Sequence, residues 1–428
     1  MHQSLTKFQS LAYYIIYLIV GIKVIFTGAI YYPDSYAFLD MAYNRSPVYA
    51  SFLKIVTSIF GENFEIPVII VQYALIAFAI HFFVSKFRSY FNITFLGTTL
   101  LQLILLAPCV YWHLVANKLL SESISYALIL VVIMMLFKAL EQLSIKELLK
   151  SLIPVFLLIF PRGQFIVLVP IAFLVLCYIQ FFKREWLRGL AVAVAIVILP
   201  FVVKLSERGY HLLTHGQYEG NTMTYVHAIS SPFYIANAKD VAIFNTEEQR
   251  AFFNRTYSSL EKANLTRSQV VKDTVDDYEF FQKNFSKICN ARIHESNMSF
   301  YEQEGLNYYQ QQQKVGELAS SMFIPLLKQN ASAWFKLFLK NFKHSFGGTK
   351  MILLYLVILM YAGIMCVRTE EIRWSFILIC VLCLAANNAI IAFAVHSINR
   401  YTFYFDWVLF AILIMLLDPI YKSLRYAD

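Results

Sequence analysis

Long apolar runs separated by short polar connections dominate the chain. A helix needs about 20 mostly apolar residues to cross a bilayer. Ten runs approach or reach that length: about 11–30, 66–84, 93–111, 121–138, 148–161, 163–182, 189–205, 351–367, 374–395 and 403–421. The pattern therefore predicts an all-α, polytopic transmembrane bundle of about ten spans. The shortest run, 148–161, reaches only about 21 Å at about 1.5 Å per residue.

A polar insert at 206–350 interrupts the series of apolar runs, and its pattern predicts mainly amphipathic helices. The periodic stretches are about 246–264, 268–289, 299–320 and 331–346. Strand-like alternation is weak throughout. We therefore expect three parts: a transmembrane region at 1–205 with a first polar loop at 31–65, a mostly helical domain at 206–350, and C-terminal transmembrane helices at 351–428.

The first polar loop contains a further amphipathic pattern between Pro47 and Phe60. One face carries Val48, Phe52, Ile55, Ile59 and Phe60, and the other carries Ser51, Lys54 and Ser58. An amphipathic helix of this kind lies in the headgroup layer and does not cross the membrane. We expect residues 47–60 to form such an interfacial helix.

Composition supports a membrane environment. The 428 residues are 59% hydrophobic and only 15% charged, whereas soluble domains average about 45–50% apolar and about 25% charged residues. In a soluble protein the net charge of +9 would suggest nucleic acid as a partner. Here the basic residues concentrate in short loops between apolar runs, so we expect a lipid bilayer and no nucleic acid as partner.

The basic loops also predict the orientation, because cytoplasmic loops of membrane proteins are enriched in Lys and Arg. With both termini in the cytoplasm, every cytoplasmic connection is basic, carrying Lys86 and Arg88, then Lys138, Lys146 and Lys150, then Lys183, Arg184 and Arg188, then Arg368 and Arg373, and finally Lys422 and Arg425. The loop 31–65, the turns near 112–120 and 162, the insert 206–350 and the turn 396–402 then face the other side.

The residues that could carry chemistry fall in these outer segments. Pro33 biases Tyr32 away from helix, so that Asp34 can begin a new helix at the membrane surface. One interpretation of Asp34 is a plain N-cap, and the other is a general base close to a lipid-borne substrate. The nearby Asp40 is expected to be a surface acid.

Glu122 and Arg162 are charged residues at the ends of apolar runs. Glu122 is placed to interact favourably with the N-terminus of its helix. An unpaired guanidinium within a membrane would cost at least about 2.5–3.5 kcal/mol, which predicts an ion pair of Arg162 with Glu122 or Asp34. The alternative is a phosphate ligand, since the planar guanidinium binds phosphate oxygens in pairs.

His396 and Arg400 form a second polar group near the C-terminus. They are four residues apart and would share one face if the segment is helical. A histidine whose hydrogen bonds are satisfied at the end of a span is the alternative interpretation of His396. No Cys and His spacing typical of zinc occurs in the chain. We expect no cofactor, and a divalent metal is an alternative that no motif indicates.

Taken together, these segments resemble the GT-C superfamily of polytopic glycosyltransferases, which take a sugar from a polyprenyl-phosphate carrier. The resemblance covers nearly the whole chain through short motifs in a common order. They are Pro33-Asp34-Ser35-Tyr36, Arg45-Ser46-Pro47-Val48-Tyr49, the stretch from Pro108 to Ser121-Glu122, Pro161-Arg162-Gly163-Gln164, Leu327 to Ala331 with Trp334-Phe335, and Asn399-Arg400-Tyr401.

The resemblance implies that Asp34 is the catalytic acid of the first outer loop and that Arg162 and Arg400 bind the carrier phosphate. The further binding positions are Lys118, Glu122, His396, Tyr401 and Arg45. Many relatives with protein acceptors have an adjacent pair of acids in this loop, but here Ser35 follows Asp34. This departure argues against a protein mannosyltransferase and against a metal role.

The resemblance therefore indicates the bacterial branch that modifies lipopolysaccharide, O-antigen or other envelope glycans. It implies a polyprenyl-phosphate-linked sugar as donor, a glycan or glycolipid as acceptor, inversion at the anomeric carbon, and a site in the inner membrane. One alternative is an O-antigen polymerase or ligase that uses a pyrophosphate-linked glycan. Another is a lipid or solute transporter, which the scarcity of charge in the inner-leaflet halves of the spans disfavours.

Overall fold

The computed structural model describes residues 7–270 and 276–425. Within these ranges the chain is helical and contains no strand beyond an isolated bridge between Ile30 and Lys118. The all-α prediction is therefore confirmed for the described residues.

Nineteen α-helices follow one another along the described chain. The first nine are α1 (Lys7–Thr27), α2 (Pro33–Leu39), α3 (Pro47–Phe60), α4 (Glu65–Phe91), α5 (Phe95–Val110), α6 (Glu122–Glu141), α7 (Ile145–Ile159), α8 (Leu168–Lys183) and α9 (Trp186–His215). The next six are α10 (Met223–Ile235), α11 (Glu247–Lys262), α12 (Asp277–Ser286), α13 (Ser296–Gln303), α14 (Tyr308–Gln329) and α15 (Ala331–Ser345). The last four are α16 (Thr349–Arg368), α17 (Ile372–Ala394), α18 (Asn399–Thr402) and α19 (Trp407–Arg425).

Eight helical segments in the described ranges are long and apolar enough to cross a membrane. They are Lys7–Thr27, Glu65–Phe91, Glu122–Glu141, Gly163–Lys183, Trp186–His215, Thr349–Arg368, Ile372–Ala394 and Asn399–Leu424. These segments are those of a multi-pass membrane protein, and lipid is the solvent that their composition requires.

The two remaining apolar runs also form helices, but shorter ones. Helices α5 and α7 have 16 and 15 residues, which reach about 24 and 22 Å at about 1.5 Å per residue. A typical hydrocarbon core is about 30 Å thick. The count of ten spans therefore stays a prediction, with eight segments of full length.

The contacts divide the described residues into two compact units. The first comprises those within 1–206, 355–386 and 403–428, and the second comprises those within 207–354 and 387–402. The second unit thus contains, besides a segment close to the insert 206–350, the end of α17 and the turn after it. The sequence pattern had grouped those residues with the C-terminal membrane helices.

Helix boundaries in the second unit follow the amphipathic pattern where it is regular. The stretches 246–264 and 331–346 become α11 and α15. The stretch 299–320 is interrupted between α13 and α14, where Gly305 has a φ of +84° that favours glycine. In the stretch 268–289, residues 271–275 lie outside the described ranges, and α12 begins at Asp277 and continues through a π-helical segment, Lys287–Glu295, into α13.

Helix α10 was not predicted, although it supplies core residues to the second unit. It runs from Met223 to Ile235 with Pro232 inside it, and its side chains Val226, Ile229 and Phe233 are fully buried. An internal proline normally argues against a helix. Here it lies in the last turn, where the helix is close to its end.

Candidate functional site

Backbone hydrogen bonds join two loops at one end of the first unit. The Ile30 N–H donates to the Asn117 carbonyl over 2.9 Å, and the Leu119 N–H donates to the Ile30 carbonyl over 3.1 Å. The Asn117 amide donates in turn to the carbonyls of Val24 and Gly28. The loop after α1, which carries Asp34, is therefore fixed against the loop that leads into α6 and Glu122.

Asp34 lies in the first turn of α2 and is not its N-cap, so the N-cap interpretation was wrong. Pro33 occupies the first helical position, where its fixed φ is favourable. The cap position therefore falls on Tyr32, whose N–H donates to the Ser35 hydroxyl over 2.9 Å. The Asp34 carboxylate is consequently directed to other partners.

One of those partners is Arg45, which precedes helix α3. The guanidinium of Arg45 donates to Asp34 Oδ1 over 2.8 Å. The side chains are 27% and 28% exposed, and the Arg45 guanidinium lies 5.6 Å from the centre of the Phe38 ring. The ion pair thus orients the Asp34 carboxylate, which remains partly accessible to solvent.

Glu122 and Arg162 form a second ion pair that is almost fully buried. The guanidinium of Arg162 lies 2.5 Å from Glu122 Oε1, and the side chains are only 9% and 4% exposed. The prediction of an ion pair for Arg162 is confirmed, with Glu122 as partner. Two charges removed from water need each other, so a phosphate bound by Arg162 would have to share the guanidinium with Glu122.

A buried hydrogen-bond network around Gln72 connects these elements. The hydroxyls of Tyr49 and Ser123 both donate to Gln72 Oε1 over 2.7 Å, and Gln72 Nε2 donates to the Ala116 carbonyl over 2.9 Å. Burial, with a contribution from the Glu122 charge, holds the pKa of Tyr49 well above its usual range. The network therefore fixes α3, α4 and the start of α6 relative to one another, and it was missed in the sequence analysis.

Lys118 and His113 both belong to the loop between α5 and α6. The Lys118 amine lies 5.0 Å from the centre of the Tyr32 ring, which is a cation–π geometry. The His113 ring stacks on Phe403 with 4.5 Å between ring centres. Burial, together with the Lys118 charge, lowers the pKa of His113 to about 4, so this ring is neutral near pH 7.

Aromatic contacts hold the segment after Arg162 and the segment before α19 at this same end of the first unit. Phe165, three residues after Arg162, packs edge-on against Tyr404 with 5.0 Å between ring centres. Phe403 contacts Tyr126 over 5.6 Å. The ends of α1, α5 and α7 and the beginnings of α6 and α19 therefore lie together, with five predicted site residues among them: Asp34, Arg45, Lys118, Glu122 and Arg162.

The other three predicted site residues, His396, Arg400 and Tyr401, belong to the second unit. Helix α17 ends at Ala394 and α18 begins only at Asn399, so the segment is not helical throughout and the condition for a common face of His396 and Arg400 is not met. The His396 ring stacks on Phe285 with 4.1 Å between ring centres and lies edge-on to Tyr401. Burial, with the nearby His227, lowers the pKa of His396 to about 4.

An uncharged network holds this turn of the second unit. Asn341 is 2% exposed, and its Oδ1 accepts from the Ser397 N–H over 2.9 Å and from the Tyr278 hydroxyl over 2.8 Å. Its Nδ2 donates to the carbonyls of Ala392 and Val395. A single amide thus fixes the chain on both sides of His396.

No group of three or more His, Cys, Asp or Glu side chains within 7–270 and 276–425 is arranged to hold a metal ion. The expectation that the protein works without a metal or other cofactor stays a prediction.

Comparisons with protein-family models, with curated proteins and with solved structures found no match for this chain. The fold and the local geometry define a multi-pass membrane protein with a charged cluster where several of its membrane helices end. Any function assigned to the protein must be argued from that cluster.

Proposed function

We propose that the protein is an integral membrane glycosyltransferase of the GT-C type. It would transfer one sugar from a polyprenyl-phosphate carrier, such as undecaprenyl phosphate, to an envelope glycan of the lipopolysaccharide or O-antigen type. The observation that supports this most directly is the carboxylate of Asp34, which is oriented by Arg45 over 2.8 Å and remains 28% exposed in a loop between membrane helices.

In the proposed reaction Asp34 is the general base. An acceptor hydroxyl oxygen attacks the anomeric carbon of the donor sugar while its proton passes to the Asp34 carboxylate. The bond between the anomeric carbon and the phosphate oxygen breaks, and polyprenyl phosphate leaves with the bonding electrons. A single displacement of this kind inverts the anomeric configuration. Arg45 is a positioning residue, because it holds the base without touching the reacting atoms.

The departing phosphate requires cationic stabilisation more than a proton donor, because phosphate is already a good leaving group. Lys118 supports this role in the first unit, since its amine lies over the ring of Tyr32 at 5.0 Å and Tyr32 is only two residues from Asp34. Arg162 is held by Glu122 and would assist while remaining in that pair. Arg400, His396 and Tyr401 belong to the second unit, and their role in binding phosphate stays a prediction from the sequence.

The proposal includes the orientation that the basic loops predict. Both termini would lie in the cytoplasm of a bacterial cell, and the charged cluster of the first unit would face the extracytoplasmic side of the inner membrane. The helical second unit would then select the acceptor glycan on that side.

The experiment is a transfer assay with the purified protein in lipid bilayers. Radiolabelled sugar on polyprenyl monophosphate is supplied with envelope glycan as acceptor, and the product is analysed for size and anomeric configuration. We expect addition of one sugar with inversion. Transfer of a whole oligosaccharide from a pyrophosphate carrier would instead identify a polymerase or ligase, and solute uptake into proteoliposomes without a glycosylated product would identify a transporter.

A further inference from the structure

An apolar groove lies between α8 and α9 in the first unit, away from the charged cluster. Its volume is about 420 Å³, within the range of about 300–1,000 Å³ that is usual for small-molecule sites. Cys177 and Phe181 of α8 and Trp186 and Leu190 of α9 line it. Both helices belong to segments that can cross a membrane, so the groove's natural occupant is a lipid.

The groove contains one polar side chain, Gln180. It is only 7% exposed, and neither atom of its amide has a hydrogen-bond partner in the described part of the chain. The amide packs against Gly189, where a Cβ atom would overlap it. A buried amide in apolar surroundings is unfavourable unless it is hydrogen-bonded, so this side chain indicates a ligand that brings an acceptor or donor into the groove.

Positive charge follows the groove-lining residues of α8 at the end of that helix. Lys183 is in the last turn of α8, and Arg184 ends that helix with a left-handed φ of 54°. Both are exposed, and neither forms an ion pair within the described residues. Arg188 differs, because it is paired with Glu185 over 3.1 Å. The unpaired cations come three and four residues after Gln180, which is about one helical turn.

We propose that this groove is a binding site for an anionic diacyl phospholipid. Lys183 and Arg184 hold the lipid phosphate, the Gln180 amide donates to an ester carbonyl just inside the headgroup, and an acyl chain follows the apolar lining. Basic pockets between membrane helices bind anionic headgroups in this way. The Gln180 amide selects a diacyl lipid, because a polyprenyl phosphate has no carbonyl below its phosphate. This site does not depend on the proposed glycosyltransferase activity.

Trp186 provides a direct probe, because it is 70% exposed and lines the groove. The full-length protein is reconstituted in phosphatidylcholine bilayers that contain increasing amounts of phosphatidylglycerol with brominated acyl chains, or of brominated phosphatidylcholine. The quenching of Trp186 is the difference between the wild-type protein and the Trp186→Phe variant. We expect half-maximal quenching at a mole fraction of phosphatidylglycerol about tenfold or more below that of phosphatidylcholine, since each cation near an anionic headgroup is worth about a fivefold preference.

Variants separate this site from general contact with surrounding lipid. Lys183→Gln and Arg184→Gln are exposed substitutions that leave the fold intact, and each should reduce the preference for phosphatidylglycerol about fivefold. Lys146→Gln is the matched control: it removes an exposed cation from the first turn of α7 and should change nothing. Gln180→Leu should weaken binding of both lipids to the groove while the remaining preference for negative charge persists.

Two outcomes would overturn the proposal. Equal quenching of Trp186 by the two brominated lipids, or an unchanged preference in the Lys183→Gln/Arg184→Gln double variant, would show that no anionic site exists. Displacement of brominated phosphatidylglycerol by unlabelled polyprenyl phosphate at a lower mole fraction than by unlabelled phosphatidylglycerol would show that the groove selects a different lipid.

Discussion

In the first unit, guanidinium groups hold the polar loops, whereas in the second unit the turn around His396 is held by the uncharged amide of Asn341. The Asp34–Arg45 pair is about 28% and 27% exposed, and the Glu122–Arg162 pair is 4% and 9% exposed. Asn341 is buried and makes its hydrogen bonds without any net charge. Ion pairs thus orient the residues of the proposed reaction in the first unit, and neutral hydrogen bonds fix the turn around His396 in the second.

The two ion pairs of the first unit differ from each other in burial. The buried pair cannot lose one member without leaving an isolated charge in an apolar environment. The partly exposed Asp34–Arg45 pair can lose one member, because water replaces the lost partner. Burial therefore predicts a structural role for Glu122 and an accessible, chemical role for Asp34.

The largest expected effect on stability comes from breaking the buried pair. Glu122→Gln keeps the shape of the side chain and leaves the Arg162 charge without its carboxylate, which should cost about 3–5 kcal/mol. Thermal unfolding of the purified protein in detergent measures the loss. The control Lys150→Gln removes an exposed partner of Glu147 and should cost less than about 1 kcal/mol.

A double variant sharpens this result. Because Glu122→Gln with Arg162→Gln removes both charges, more than half of the lost stability should return. Additive losses in the double variant would contradict the assignment of a structural pair.

The next effect tests the uncharged network of the second unit. Asn341→Ala removes hydrogen bonds to Ser397, Tyr278, Ala392 and Val395, each worth about 0.5–1.5 kcal/mol. We expect a loss of about 2–4 kcal/mol in thermal unfolding. Asn284→Ala, which removes a hydrogen bond to Phe280 on its own helix, is the matched control with a loss below about 1 kcal/mol. Similar losses in both variants would show that the Asn341 network has no special role.

A smaller effect concerns pH. His396 has a folded-state pKa of about 4, below the value of about 6.5 for an unfolded chain. The unfolded state therefore takes up the proton first, so stability is complete above about pH 6.5 and falls as the pH is lowered toward 4. We expect a loss of about 2.4 kcal/mol between pH 7 and pH 4.5. His396→Phe should remove this part of the pH dependence, and an identical pH profile in that variant would refute the assignment.

The smallest effect is expected for the stability of the partly exposed Asp34–Arg45 pair. Arg45→Gln should change the free energy of unfolding by less than about 1 kcal/mol, since both partners are accessible to water. Calorimetry of Arg45→Gln and Glu122→Gln under the same conditions compares the two losses in unfolding free energy. A loss as large as that of Glu122→Gln would mean that the two pairs have the same structural role.

Apolar periodicity was sufficient to predict most helices, because a lipid solvent requires long uninterrupted apolar segments. The helices at 47–60 and 331–345 were located from their patterns alone, and the interfacial position of the first stays a prediction. The cap of α2 was misplaced by two residues, since the effect of Pro33 on the helix start competes with the preference of Asp for a cap. Helix α10 was missed because its internal Pro232 conflicts with the helical pattern.

The charged cluster was only partly predictable. A buried guanidinium must have a partner, which led to Glu122 or Asp34 as the alternatives for Arg162. The choice between Glu122 and Asp34 depends on which loops lie next to each other in the fold. The local pattern of apolar and polar residues does not reveal this. Single hydrogen bonds of the Gln72 network join residues up to 51 positions apart, and the local signal was a glutamine in a largely apolar run.

The most direct test of the account is the transfer activity of Asp34→Asn compared with Asp40→Asn. Asp40 lies in the same loop, is exposed and has no proposed role, so it controls for the loss of a carboxylate. The account predicts that Asp34→Asn lowers the rate of sugar transfer by about 10²–10⁴-fold with little change in thermal stability, and that Asp40→Asn retains full activity. Full activity in Asp34→Asn would contradict the account.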